Sequence, residues 1–372
     1  MLSQKILLMP FILLAIGALA QPDSAWQVAP KLSQSGFADV YYAFDFNQPS
    51  GNQRQNFLFN HNRHNQFSLN LGLMKLALEH PKYRTNLAFQ AGTYANDNYA
   101  AENGSFKQVF EANLGLSLSR KNKLWLDAGI FPSHIGFESA ISAENPTLTR
   151  SLVAESSPYF LTGAKMTYQP SDHWEMAALL VNGWQRIRRL EENSLLSYGT
   201  QLRYSPGSNT TLNWSTFIGT DDPDSTRRMR YFSHIYGQFQ LARCVLIAGF
   251  DVGFQQKSKS STSYNSWYGP VLIGQMNWNE HWKTAVRAEY YVDESGVIIP
   301  TGSLHGFQTS GISVNVDYLP QSNIMFRLEG RWFNSKDAVF ANSAGSVRDN
   351  VFIATSLAIK FAELLSGRNP SD

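Results

Sequence analysis

Residues 282–293 read WKTAVRAEYYVD, and everything else in the chain can be measured against their parity. Trp282, Thr284, Val286, Ala288, Tyr290 and Val292 make one set; Lys283, Ala285, Arg287, Glu289, Tyr291 and Asp293 make the other. Successive side chains point to opposite faces of a strand, so this spacing predicts an extended segment with one apolar face and one charged face. The split recurs along the chain. Ala38, Val40, Tyr42, Phe44 and Phe46 oppose Phe37, Asp39, Tyr41, Ala43 and Asp45, and Phe110, Ala112, Leu114, Leu116 and Leu118 oppose Glu111, Asn113, Gly115, Ser117 and Ser119. Near the C-terminus Ile324, Phe326, Leu328, Gly330 and Trp332 alternate with Met325, Arg327, Glu329, Arg331 and Phe333. Sandwich strands commonly run to about five or six residues, whereas these reach about ten, the length a tilted strand needs to cross a bilayer.

Sixteen such segments fit between residues 36 and 361, and the connections sort by parity. Every second one is short: 79–82, 121–122, 169–172, 206–209, 242–243, 279–281 and 319–322. The intervening ones are long: 47–65, 96–106, 132–159, 183–195, 220–229, 256–266, 294–306 and 334–349. Short turns on one rim and long loops on the other predict an all-β fold, a transmembrane antiparallel barrel of about sixteen strands. Segment 230–241 has no cleanly apolar phase, which leaves fourteen strands as the alternative. In hydrocarbon an unpaired backbone group costs several kcal/mol, so the sheet must close on itself. Sixteen strands enclose an aqueous lumen, and the charged phase must face it.

Composition agrees. Of 372 residues, 43% are hydrophobic and 16% charged, with 26 Gly and 15 Pro, which argues against disorder and against a bundle of apolar helices. The 31 basic and 29 acidic residues nearly cancel, so no field favours nucleic acid. Cys244 is alone and lies in no metal-binding spacing. Lys5, the apolar run Ile6 to Gly17 and Ala18-Leu19-Ala20 predict a cleaved signal peptide over residues 1–20. The expected order is then a short periplasmic segment 21–35, the barrel 36–361 and a periplasmic tail 362–372.

Several strings resemble those of the OmpL-like family of β-barrel porins of Gram-negative outer membranes. They are Tyr41-Tyr42-Ala43-Phe44-Asp45-Phe46-Asn47, His64-Asn65-Gln66-Phe67, Arg150-Ser151-Leu152, Ser157-Pro158-Tyr159, Thr162-Gly163, Asn182-Gly183-Trp184-Gln185, Asp317-Tyr318 and Arg327-Leu328-Glu329-Gly330-Arg331. Gln66 stands where the family pattern has Glu. The resemblance spans essentially the whole mature chain. It implies an outer-membrane channel for passive diffusion of small hydrophilic solutes, bathed by lipid bilayer and lipopolysaccharide, without cofactor or metal. By analogy with general porins, a homotrimer is expected.

The resemblance also gives the third long connection, 132–159, a role: a loop folded into the lumen. Its carboxylates Glu138, Glu144 and Glu155 are expected to face the basic wall residues Arg84, Lys165, Arg203, Arg287, Arg327 and Arg331, with Glu111, Glu289 and Glu329 also lining the pore. The competing arrangement has the loop over the outer mouth and local pairs, Arg287 with Glu289 and Arg327 with Glu329. Two other classes compete with a channel. A lipase-like barrel would need Ser and His on the lipid face, where His234 is the mid-strand candidate, and a protease-like barrel would draw on Asp221, Asp222 and Asp224 with the first-loop histidines. A structural or adhesive barrel would have a plugged lumen. The string His61-Asn62-Arg63-His64 suits no standard metal spacing.

Overall fold

A computed structural model describes residues 24–365, so the predicted signal peptide lies outside the described residues. The barrel strands are β1 (Lys31–Asp45), β2 (Phe67–Glu79), β3 (Tyr83–Ala91), β4 (Val109–Ser117), β5 (Leu124–Pro132), β6 (Phe160–Ser171), β7 (Trp174–Val181) and β8 (Ser197–Gly207). They continue as β9 (Thr210–Gly219), β10 (Arg230–Leu241), β11 (Cys244–Gln256), β12 (Tyr264–Asn277), β13 (Trp282–Asp293), β14 (Phe307–Gln321) and β15 (Ile324–Ser335). A small hairpin, β16 (Phe340–Asn342) and β17 (Gly345–Val347), rises inside the last long loop before β18 (Asp349–Leu364). Each barrel strand pairs antiparallel with its neighbours, and β1 closes on β18, giving sixteen staves without an edge.

Two sequence boundaries are corrected. Strand β1 begins at Lys31, inside the segment 21–35 assigned to the periplasm, and β18 runs to Leu364, beyond the expected end at 361. Ser33, Gln34 and Ser35 pair with Leu364, Glu363 and Ala362, so these residues complete the seam. Their polar side chains hide the alternation, but closure requires the backbone to be paired there regardless of side chain. Segment 230–241 is a full strand, bonded to both β9 and β11, so the fourteen-strand alternative falls. Its phases are mixed because Phe232 and His234 point inward and are buried, while Ser233 faces outward.

The outer face is the apolar phase: Val286, Ile312, Val314, Leu328, Trp332 and Ile353 are all exposed. At the short-turn rim Trp174 packs on Tyr204 with ring centroids 4.4 Å apart and Trp282 on Tyr318 at 4.8 Å, as an interfacial aromatic girdle requires. The interior departs from a purely ionic lumen. Tyr41, Phe131, Phe217, Phe232, Trp267, Tyr291, Phe333 and Phe352 all lie on the inward phase near the long-loop ends of their strands, and all are buried. Leu58, Ile135, Leu148, Leu152 and Phe340 from the loops pack against them as one hydrophobic core. Each such side chain contributes about 1.5 to 3 kcal/mol when fully buried, enough to fold the loops inward.

Candidate functional site

Loop 132–159 enters the barrel and runs down one wall. Glycines on the inward phase make the seats: a Cβ at Gly249 would stand 2.7 Å from the Phe137 ring, and one at Gly269 2.8 Å from Val153. Below them the loop is fixed largely by its own main chain. Arg327 donates to the carbonyls of Ser142 at 2.5 Å and Asn145 at 3.0 Å, while its other edge is bidentate on Asp317 at 2.7 and 3.0 Å. Arg287 donates to the Thr149 carbonyl at 2.6 Å and Arg331 to the Arg150 carbonyl at 2.9 Å. The acids complete the set, because Glu329 accepts the Thr149 N–H at 2.5 Å and Glu289 the Leu152 N–H at 2.6 Å. Arg287 bridges to Glu329 at 2.8 Å and Arg331 to Glu289 at 2.5 Å, so each buried charge has a partner and a main-chain bond.

The opposite wall, β2 to β8, carries a different set. Lys75 pairs with Glu111 at 2.7 Å and Arg84 is bidentate on Asp127 at 2.7 and 2.6 Å. Arg84 and Asp127 sit on β3 and β5, one strand apart, and reach each other across Gly115 of β4. A Cβ at that glycine would lie 2.2 Å from Asp127 Oδ1. Lys165 stands directly opposite Asp127 in the β5–β6 register, with its ammonium 5.1 Å from the Phe131 ring. Among the described residues it has no carboxylate within 4.0 Å, since Asp127 is engaged by Arg84. The side chains of Lys75 and Arg84 are 29% and 36% exposed, against 0% for Arg287, Arg327 and Arg331. Water therefore reaches Lys75 and Arg84 and is excluded from the arginines beneath the loop. The partners Glu111 and Asp127 are nevertheless buried, and Leu71 and Leu73 of the same wall are covered in one cluster with Ile141 of the loop.

The expected carboxylates behave differently from a charged fringe. Glu138 is buried, accepts the Ser151 N–H and hydroxyl, and lies 3.9 Å from Arg287. Glu155 is also buried and turns away from the wall. It accepts the main-chain N–H of Phe59 at 3.1 Å and the Tyr159 hydroxyl at 2.9 Å, tying loop 132–159 to loop 47–65. Glu144 alone is exposed, sharing with Lys360 the lining of a cavity of about 520 Å³ at the periplasmic end. Of the local pairs, Arg287 meets Glu289 at 3.3 Å, but Arg327 chooses Asp317 over Glu329. Arg287, Glu289, Arg327, Glu329 and Arg331 thus lie on the inward face as expected but are dry loop anchors beneath 132–159, bound mostly to its main chain and not to its carboxylates. Sequence reasoning missed Lys75, Asp127 and Asp317 as lumenal partners, although the same parity rule places all three inward.

Among the described residues the rival readings find no assembled site. Ser215, His234 and Asp251 lie side by side in register on β9, β10 and β11, facing inward and buried, so His234 is not on the lipid face. His234 pairs with Asp251, yet the Ser215 hydroxyl donates to the His134 carbonyl at 2.7 Å. In the first loop His61 pairs with Asp39 at 2.8 Å and His64 accepts the Asp45 N–H at 3.0 Å. Asp222 is held by Arg228 at 2.7 Å and Asp224 by Arg227. Among the described residues no three His, Cys, Asp or Glu side chains converge as a metal site.

Two outer-loop acids are held well below the usual carboxylate range. Hydrogen bonds from Ser194, then from Arg227, lower Asp224 to about 2, and hydrogen bonds from His305 lower Asp337 to about 2. A depressed value stabilises the folded loop above the ordinary pKa of 3.8 and loses that contribution as pH falls toward 2. Pepsin is accordingly expected to spare the Val339-Phe340 region at pH 3.5 and to cleave it at pH 2. Equal cleavage at the two values would contradict the Asp337 assignment.

A closed antiparallel barrel of sixteen strands, with its third long loop folded inside and an aromatic girdle at the short-turn rim, defines an outer-membrane channel of the porin class. The chain belongs to the family described as "Putative beta-barrel porin-2, OmpL-like", which it matches over residues 31–361. Solved structures of similar fold include OmpT of Vibrio cholerae in its trimer form, at TM-score 0.59 and 9% identity, covering 90% of this chain and 100% of that one. An anion-selective porin from Comamonas acidovorans aligns at TM-score 0.60 and 8% identity over 90% of this chain and 100% of its own. The channel DcaP of Acinetobacter baumannii aligns at 0.59 and 9% over 90% and 98%. Comparison with curated protein sequences yields no match.

Proposed function

We propose that small hydrophilic solutes cross through the strip between loop 132–159 and the β2 to β8 wall, without a catalytic step and with a preference for anions. The observation that carries this reading is the asymmetry of exposure, with Arg84 at 36% and Arg287 at 0%. The inward phase of this wall is balanced, Lys75, Arg84, Lys165 and Arg203 against Glu79, Glu111, Asp127 and Glu175, but Lys165 has no carboxylate within 4.0 Å among the described residues, so its positive charge is the locally uncompensated one. Arg203 lies opposite Glu175 in the β7–β8 register and adds no net charge. A fixed charge beside a narrow passage selects counter-ions. The reading also takes residues 1–20 as the cleaved export signal, lipopolysaccharide as a neighbour of the outer loops, and three copies as the assembled form. Purified mature protein in a planar bilayer under a salt gradient is expected to give discrete current steps and a reversal potential of anionic sign. Absence of steps would sink diffusion, and a cationic sign would sink the selectivity.

A further inference from the structure

We propose that the outer vestibule is a loading site for a neutral hydroxylated ring, a mono- or disaccharide; this rests on the diffusion reading above, not on its preference among small ions, and names a solute class for it. Loops 47–65, 132–159, 183–195, 294–306 and 334–349 enclose a cavity of about 500 Å³. Pockets of about 300 to 1,000 Å³ hold small molecules, so the space suits one or two sugar rings. Its walls are the aromatic side chains of Phe57, Phe59 and Trp184, with Asn56, Gln185 and Thr301 between them.

Two charged residues border the cavity, yet neither presents its charge. Arg54 is buried beneath the lining, with its guanidinium 3.4 Å from the Phe352 ring, Nη1 donating to the His61 carbonyl at 3.1 Å and Nε 3.5 Å from Asp45. Its Nε and Nη2 are shut off from solvent without a hydrogen bond among the described residues. The Glu155 oxygens are taken by the N–H groups of Phe59 and Asn60, by the Asn60 side chain at 3.2 Å and by the Tyr159 hydroxyl. An ionised solute entering here would lose water without gaining a counter-charge. A sugar instead offers C–H faces to rings and hydroxyls to amides.

The walls are set before any ligand arrives. Trp184 is gripped edge-on by Phe217 and Phe232, each at 5.0 Å. Gln185 is pinned at both ends, accepting the Tyr159 N–H at 2.8 Å and donating to the Asn98 carbonyl at 3.1 Å. Among the described residues the Asn56 amide and the Trp184 indole N–H have no hydrogen-bond partner and remain free to meet hydroxyls. Rigid apolar walls with a few free polar groups lower the ordering cost of binding.

The test is calorimetric titration of the full mature protein in detergent with maltose and, separately, glucuronate, alongside bilayer recordings with maltose added on the long-loop side. Saturable maltose binding is expected, with affinity lowered at least about tenfold in both Trp184→Leu and Asn56→Ala. Asn56 is an exposed loop residue, so its variant keeps the test valid if Trp184→Leu misfolds. No saturable maltose heat, unchanged affinity in Asn56→Ala, or tighter binding of glucuronate would overturn the site. Conductance steps without maltose block would overturn the site and leave the channel reading standing. Maltose binding without any conductance would overturn diffusion alone.

Discussion

Replacing Arg287 and Arg331 together by methionine is expected to release the 147–152 segment from the β13 to β15 wall, with 142–145 still held by Arg327, while the barrel stays closed. Both guanidiniums hold loop carbonyls, and both neutralise Glu289 or Glu329, which would be left buried and unpaired. Removing one partner of a buried ion pair typically costs on the order of 3 to 5 kcal/mol, far more than an exposed pair contributes. The strand ladders are main-chain bonds and do not depend on these side chains. The expected result is therefore local: larger single-channel conductance and new protease cleavage within 132–159, with heat-modifiable gel migration retained. Arg84→Met, on the wetted wall, is expected to leave the loop protected. A double variant with unchanged conductance and an uncleaved loop would show that the inward hydrophobic packing, not the ionic clamp, holds the segment.

Lys165→Glu is expected to invert the sign of ion selectivity. The inward phase of this wall carries four basic and four acidic groups, with Lys165 the locally uncompensated charge, and the substitution makes it three against five. Lys165 is the sensitive position because among the described residues it lacks an ion-pair partner within 4.0 Å, whereas a change at Lys75 or Arg84 also disturbs a bonded acid. At about 0.1 M salt the screening length is about 10 Å, so the effect should be large there and fade near 1 M. Reversal potentials of wild type and variant across the same gradient measure it. Identical potentials would remove Lys165 from the conduction path.

Strand parity carried most of the architecture, because in a membrane barrel each strand answers to two solvents and residue 282 must differ in kind from residue 283. The same rule placed Arg287, Glu289, Arg327, Glu329 and Arg331 on the inward face, where they lie. What it lacked was the third body. Inward Tyr41, Phe333 and Phe352 look anomalous in a water-filled lumen and make sense only once Leu58, Leu152 and Phe340 fold onto them. The clamp was illegible for a related reason: its partners on the loop are carbonyls and N–H groups, which every residue carries. The seats at Gly249 and Gly269 resemble any other small residue of a strand until Phe137 and Val153 are placed beside them. The first strand was cut short at residue 36 because Ser33, Gln34 and Ser35 carry no apolar phase, although the seam needs their backbone.

The most direct test of a wetted wall facing a dry one is thiol accessibility. Cys244 is half-buried with its sulfur 3.7 Å from the Met276 sulfur, so Cys244→Ser supplies the background. In that background Lys165→Cys and Ser313→Cys, the latter a buried inward residue paired with Arg287 and Arg331 in register, are each treated with a charged, membrane-impermeant thiol reagent during bilayer recording. Stepwise loss of current at residue 165 and silence at residue 313 are expected. Reaction at 313 with silence at 165 would put the passage on the other side of the loop and contradict the arrangement described.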